Sequence, residues 1–275
     1  MTGDSFSLSL EEPSPGVGLI RFADPARQNQ LCWAAVGRLA DLLEECVARE
    51  LRVAVIASDL PGHWLEHAWL QDLQAMLSGG EMTGDGVGWF RAISALSKPP
   101  LVTIAAISGN TCGGGCELGW ACDLRIAEKQ ALFAQPEIRI GITPGLGGIA
   151  RLNALAGRTL ASEMVLRGEW VEAGRLFDAG AINRLVDRGQ ALDAALEWAA
   201  ELAGQPGESL RYCKQTLADC QEMNLQEALE REQQTFQASA ANSLEIMREQ
   251  QAFYDRGGTT AESFRPVDPA GDQPG

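Results

Sequence analysis

The 275-residue chain predicts an α/β fold whose last third is helical, and three observations carry that prediction. Short β-branched apolar runs, LRVAVIAS and LVTIAAIS, are interleaved in the first half with segments whose apolar residues recur at helical spacing. A Gly-rich stretch follows directly on the second run. From Gly148 onward nearly every segment is helical in pattern.

Taken in order, SFSLSLEE and VGLIRF are separated by Pro-Gly and read as a hairpin of two strands. From Leu31 to Arg49 the apolar residues Val36, Leu39, Leu42, Leu43 and Val47 keep helical spacing, and LRVAVIAS follows as a buried strand. Strand, strand, helix, strand is an α/β order. The turn Asp59-Leu60-Pro61-Gly62 leads into HWLEHAWLQDLQAML, where Trp64, Leu65, Ala68, Trp69, Leu73 and Met76 predict the stripe of one helix. A looser segment from Gly79 to Gly86 precedes the helix VGWFRAISALS. LVTIAAIS is the most strand-like run and delivers the backbone into the Gly-rich stretch. Beyond Gly148, IARLNALAG, RTLASEMVLRG and EAGRLFDAG read as helices and INRLV as a short strand. Further helices run from Ala191 to Leu202, Leu210 to Leu217, Leu225 to Ala241 and Leu244 to Tyr254. The closing GGTTAESFRPVDPAGDQPG predicts a mobile tail.

Composition bounds the function. A formal net charge of −15 argues against nucleic acid as a partner, because phosphate contacts need a concentrated basic surface. Seven cysteines without a CxxC pair favour reduced thiols over a disulfide framework or zinc site. The opening MTGDSFSLSLEEP has neither the basic nor the apolar region of a signal peptide, and no apolar run is long enough to span a bilayer, so a cytoplasmic protein is expected. Only His63 and His67 are present, which restricts any Ser-His-Asp triad or histidine metal site to their loop.

The chemistry concentrates between Asn110 and Gly148, NTCGGGCELGWACDLRIAEKQALFAQPEIRIGITPGLGG. Gly113 to Gly115 let the main chain approach a ligand closely, and the helix opening at Cys116 and Glu117 aims free N–H groups at it. Glu137 follows Pro136, which suits a tight bend facing the first carboxylate. Two carboxylates beside oxyanion donors point to acid/base chemistry on a carbonyl compound.

At these residues, and at PARQNQL, KPPLVTIAAISGN and ASEMVLRGEWVEAGRLFDAGAINRLV, the chain resembles the enoyl-CoA hydratase/isomerase (crotonase) superfamily. The resemblance implies a spiral of strand-strand-helix repeats over residues 1–200, a C-terminal helical oligomerisation region over 201–256 and a disordered tail over 257–275. It also implies a homotrimer or dimer of trimers. Glu117 and Glu137 fall where family hydratases carry their catalytic pair, and the thioester carbonyl would sit between the N–H groups of Gly114 and Glu66. Gly113, Arg27, His67, Ala68 and Trp69 would contact substrate, Arg27 near the nucleotide. Where the family has Ala-Gly-Ala-Asp, this chain has Glu66, His67, Ala68 and Trp69. His67 reads either as a packing residue or as part of the acyl pocket, and Trp64 and Trp69 either as core or as an acyl wall. The activity implied is hydration of an α,β-unsaturated acyl thioester in fatty acid metabolism, with CoA as part of the substrate and no metal or other cofactor. A carrier-protein thioester stays open, as do three alternative functions: an isomerase, a hydrolase using His67, or a catalytically silent acyl-CoA-binding subunit.

Overall fold

A computed structural model describes residues 6–221 and 223–263. The chain divides into two compact units, one ending at Ala203 and the other starting at Gly204. The first opens with the expected hairpin, β1 (Ser7–Ser14) and β2 (Val17–Ala23), and continues through α1 (Trp33–Ala48), β3 (Val53–Ser58), α2 (Leu70–Ser78), α3 (Val87–Ser97) and β4 (Val102–Ile107). Next come β5 (Thr111–Cys112), α4 (Gly114–Ala121), β6 (Leu124–Glu128), β7 (Leu132–Ala134) and a 3-10 turn, Glu137–Ile140. α5 (Ala150–Arg167), β8 (Val171–Glu172), α6 (Ala173–Asp178), β9 (Arg184–Val186) and α7 (Ala191–Ala203) complete the unit.

Six strands form one sheet in the order β1-β2-β3-β4-β6-β9, parallel throughout except for the β1–β2 hairpin. Val53 pairs with Val17 on one side and Val102 on the other. Every residue of β4 is buried, as expected of a parallel strand covered on both faces. α1 packs on α3, and α7 packs on β3 and β4. A second, three-stranded sheet, β5-β7-β8, is small, but it carries the Gly-rich turn.

The helix expected from His63 begins only at Leu70. Residues 63–69 are instead an extended loop, bridged to the chain at Leu31↔Ala68 and His63↔Asn110. Their N–H groups find distant acceptors: Trp64 donates to Asn110, Glu66 to Asn29 and Trp69 to Leu31. Tertiary hydrogen bonds therefore override a weak local helical preference. β6 and β7 are not expected from the sequence, since both are short and β6 carries Arg125 and Glu128. The break between IARLNALAG and RTLASEMVLRG is real, since Gly157 sits at φ 74°, ψ 160° inside α5.

The second unit consists of α8 (Gly207–Cys220), α9 (Leu225–Ala241), α10 (Leu244–Asp255) and α11 (Thr260–Ser263). α9 starts on a capping box, in which Asn224 accepts from the Glu227 N–H and the Glu227 side chain accepts from the Asn224 N–H. α8 and α9 are joined by the Thr216 and Thr235 hydroxyls and by an Arg231–Asp219 ion pair at 2.7 Å. Leu217, Leu225, Leu229, Phe236 and Leu244 are exposed. Of the tail expected over 257–275, residues 257–263 are described and include α11, and the rest lies outside the described residues. No helix among the described residues is long and apolar enough to cross a membrane.

Candidate active site

β4 runs into β5, and the chain then turns at Gly113 (φ 51°, ψ −123°), a backbone conformation that disfavours any residue with a Cβ. α4 starts there. Its first-turn N–H groups lack intrahelical acceptors and project from the turn. At Gly115 the need for glycine is steric, because a Cβ would lie 1.9 Å from the Leu65 carbonyl oxygen. This contact of backbone on backbone presses the 63–69 loop against α4. The Thr111 hydroxyl donates to the same Leu65 oxygen at 2.6 Å, and the Gly113 N–H donates to Ala134 at 3.0 Å.

The bridge to Leu31 decides which loop amide faces the turn. The Leu31 N–H donates to His67 and the Trp69 N–H donates to Leu31, both at 2.9 Å. In an extended segment alternate peptide groups point to opposite sides, so the Ala68 N–H points away from Leu31. Its nitrogen lies 3.5 Å from where a Cβ on Gly114 would be. Among the described residues it has no backbone acceptor. The Ala68 and Gly114 N–H groups thus share one corner. Glu66 does not reach that corner: its N–H is spent on the Asn29 carbonyl at 3.0 Å, and it does not line the cavity in front of the turn. The expected pairing of Glu66 with Gly114 is therefore corrected to Ala68 with Gly114.

Glu117, on α4, is buried, and its Oε1 accepts the Leu146 and Gly148 N–H groups at 2.6 and 3.0 Å. Burial raises its pKa, while those N–H groups and the Arg151 guanidinium act in the opposite direction. Glu137 heads the 3-10 turn after Pro136, and its buried Oε2 has no protein hydrogen-bond partner. Burial first, with the Glu117 charge adding to it, raises its pKa to about 7. Its Oε1 lies 3.4 Å from the place of a Cβ on Gly113. Both carboxylates therefore border the corner made by the two N–H groups. Both line a cavity of about 620 Å³ whose walls include Trp33, Leu73, Met76, Trp89, Phe90 and Trp170.

A model of the enoyl-CoA hydratase/isomerase family matches residues 12–260. The chain belongs to that family. It is 40% identical over 153 residues to the 2,3-dehydroadipyl-CoA hydratase of Escherichia coli K12, a match covering 56% of this chain and 58% of that one. The match thus spans little more than half the length of that relative. A probable enoyl-CoA hydratase of Rhizobium meliloti is 30% identical over 234 residues, 85% of this chain and 90% of that protein. Among solved structures, a putative enoyl-CoA hydratase from Streptomyces coelicolor A3(2) superposes with a TM-score of 0.80 at 25% identity, covering 94% of each chain. The strand-strand-helix spiral expected from the sequence is the fold these family structures share.

Within this family fold, the structure brings Glu117, Glu137, Gly113, Gly114, His67 and Ala68 to one cavity. His67 lies over Gly113, and its Nδ1–H donates to the Ala68 carbonyl at 2.8 Å. It lines the cavity. Arg27 and Trp69 do not line it. They stack on each other, with the guanidinium 4.6 Å from the ring centroid, and Arg27 also pairs with Asp24 at 2.8 Å. Trp64 is core, fully buried, with its indole N–H on the Ile56 carbonyl. No group of three or more His, Cys, Asp or Glu among the described residues is arranged to hold a metal ion. The aromatic walls Trp33, Trp89 and Trp170 escaped the sequence reading because they are far apart in the chain.

Proposed function

We propose that the protein is an enoyl-CoA hydratase that adds water across the α,β double bond of an acyl thioester. The carrying observation is the pair of buried carboxylates with unlike environments, set beside the neighbouring backbone N–H groups of Ala68 and Gly114. The thioester oxygen accepts from the Ala68 and Gly114 N–H groups. Glu117, its Oε1 fixed by two backbone donors, uses Oε2 as the base that takes a proton from water. The resulting hydroxide adds to the β-carbon, and the electron pair moves through the α-carbon to the carbonyl as an enolate. Each N–H then meets developing negative charge, and one such donor is typically worth a factor of ~10²–10³ in rate. Glu137, protonated up to about pH 7, gives its proton to the α-carbon and regenerates the thioester. No further cofactor takes part in this scheme, CoA being the substrate's own carrier.

Arg27 fits the nucleotide end of CoA in this reading, since it lies off the acyl cavity next to Trp69, the residue after Ala68. The exposed apolar residues of α8, α9 and α10 support self-association, and a homotrimer or dimer of trimers is the assembly proposed. Seven cysteines outside any disulfide, five of them buried, favour a reducing cytoplasmic compartment.

The test offers purified protein a panel of short, medium, long and aromatic trans-2-enoyl-CoA esters and follows the absorbance of the conjugated thioester. Loss of that band on any member is the expected result. Tight ester binding without turnover across the panel would replace the hydratase with a silent acyl-CoA-binding subunit.

A further inference from the structure

The scheme leaves one buried group unused. Glu66 is 7% exposed, yet its carboxylate is fully engaged: Oε1 accepts from His63 Nδ1 at 2.8 Å, and Oε2 accepts from the Cys112 thiol at 3.0 Å. A buried carboxylate needs such donors to offset its lost hydration, and a bond to an ionised acceptor is stronger than a neutral one. The Cys112 sulfur is in turn met by the His67 backbone N–H. Burial, with the Glu66 charge adding to it, raises the Cys112 pKa well above the ordinary thiol value, so the sulfur keeps the proton that it donates.

The placing of this contact in the two segments is what gives it meaning. Glu66 stands two residues before Ala68, and Cys112 stands two residues before Gly114. The Glu66–Cys112 bond therefore spans the loop and β5 at matching positions upstream of the two N–H groups. The Cys112 sulfur holds the loop twice, through the Glu66 carboxylate and through the His67 N–H. The neighbouring ties, Thr111 to Leu65 and Trp64 to Asn110, run through backbone carbonyls further from the corner.

We infer that Glu66 and Cys112 are a positioning pair that sets the separation of the Ala68 and Gly114 N–H groups and so tunes the oxyanion site. The inference rests on the reading of those two N–H groups as thioester-carbonyl donors. Neither side chain handles a proton of the reaction. Each acts through the backbone that follows it, so the loss should fall on the transition state more than on ground-state binding. A misplacement of about 1 Å costs on the order of 10²-fold in such a site.

The experiment compares wild type with Cys112→Ala, Cys112→Ser, Glu66→Gln, Glu66→Ala and the Glu66→Ala/Cys112→Ala double variant, each checked for fold by circular dichroism. Two readouts are taken: kcat and KM on an enoyl-CoA ester, and the infrared carbonyl band of a bound ¹³C-labelled saturated acyl-CoA, which moves to lower frequency as donors polarise it. Cys112→Ala and Glu66→Ala are expected to lower kcat by roughly 10- to 100-fold with affinity for the saturated ester within about threefold, and to lose most of the carbonyl shift. The double variant should be no more than about threefold worse than the poorer single, because the two residues form one contact. Cys112→Ser keeps a donor and should recover most of the loss. Glu66→Gln keeps the volume and one acceptor, and should fall between wild type and Glu66→Ala. A wild-type carbonyl shift that the variants leave unchanged overturns the inference alone, as do additive losses or an equal loss in ester affinity. A wild type that neither turns over nor shifts any carbonyl overturns the functional reading and the inference with it.

Discussion

Glu117 and Glu137 are the same residue type, buried to similar extents at 4% and 9% exposed, and border the same corner, yet their surroundings differ in one respect. The loop after the 3-10 turn gives Glu117 two backbone N–H donors on a single oxygen, and Arg151 adds a positive charge nearby. Glu137 has a buried oxygen with no protein donor at all. Burial pushes both pKa values up, but the ionised form of Glu117 is favoured by the loop N–H groups and Arg151, that of Glu137 by its own backbone N–H alone. In the proposed scheme it is therefore backbone amides, not residue identity, that sort the two carboxylates into base and acid.

The largest test of that division is to neutralise each carboxylate in turn. Glu117→Gln and Glu137→Gln should each cost on the order of 10²–10⁴ in kcat, and the double variant should cost far less than the product, since both act on one transition state. Near-normal hydration by Glu137→Gln alone would break the comparison and leave a one-base scheme. A smaller effect is expected in pH profiles. Because Glu137 must be protonated, kcat/KM should fall about tenfold per pH unit above about 7, and a Glu137→Gln protein should lack that limb in its residual rate.

Stability should report the same asymmetry. The Glu137 pKa of about 7 in the folded protein lies above its ordinary 4.5, so its contribution is fully present below 4.5 and is lost as the pH rises to about 7. Thermal melts should therefore show Glu137→Gln gaining on wild type between those pH values and holding a constant advantage above them. A constant difference across the whole range would mean that Glu137 is not raised. The smallest effect is expected from Arg151→Met. It removes a charge that favours ionised Glu117, along with the guanidinium bond to the Leu146 carbonyl at 2.8 Å. The acid limb of kcat/KM should move to higher pH, because the ionised form of Glu117 loses that support.

The parts of this site that were legible in the sequence are those encoded by neighbouring residues. Gly113 to Gly115, Glu117 and the Pro136-Glu137 bend announce themselves within one continuous stretch, and a break at Gly157 could be read from the glycine between two helical patterns. Ala68 could not be read the same way. Its N–H direction is set by pairing with Leu31, and no local pattern in HWLEHAWL specifies that pairing. Counting alternate residues from a bridged position is the one signal that separates Ala68 from Glu66, and it needs the bridge to be known. The hydrophobic spacing of Trp64, Leu65, Ala68 and Trp69 suited a helix equally well. Trp64 reaches the core instead from an extended loop.

α2 buries a single residue, Asp72, whose carboxylate accepts from the Trp33 and Thr83 N–H groups and from the Thr83 hydroxyl. Its Leu70, Leu73 and Met76 nevertheless line the cavity. A helix held this lightly opens at low free-energy cost, whereas the donor corner is jammed backbone against backbone at Gly115. Amide hydrogen exchange should accordingly be fast along α2 and slow through α4, with an acyl ligand protecting the first far more than the second. The same inequality leaves the α2 wall of the cavity able to yield to ligands of different shape while the corner beside it keeps its geometry.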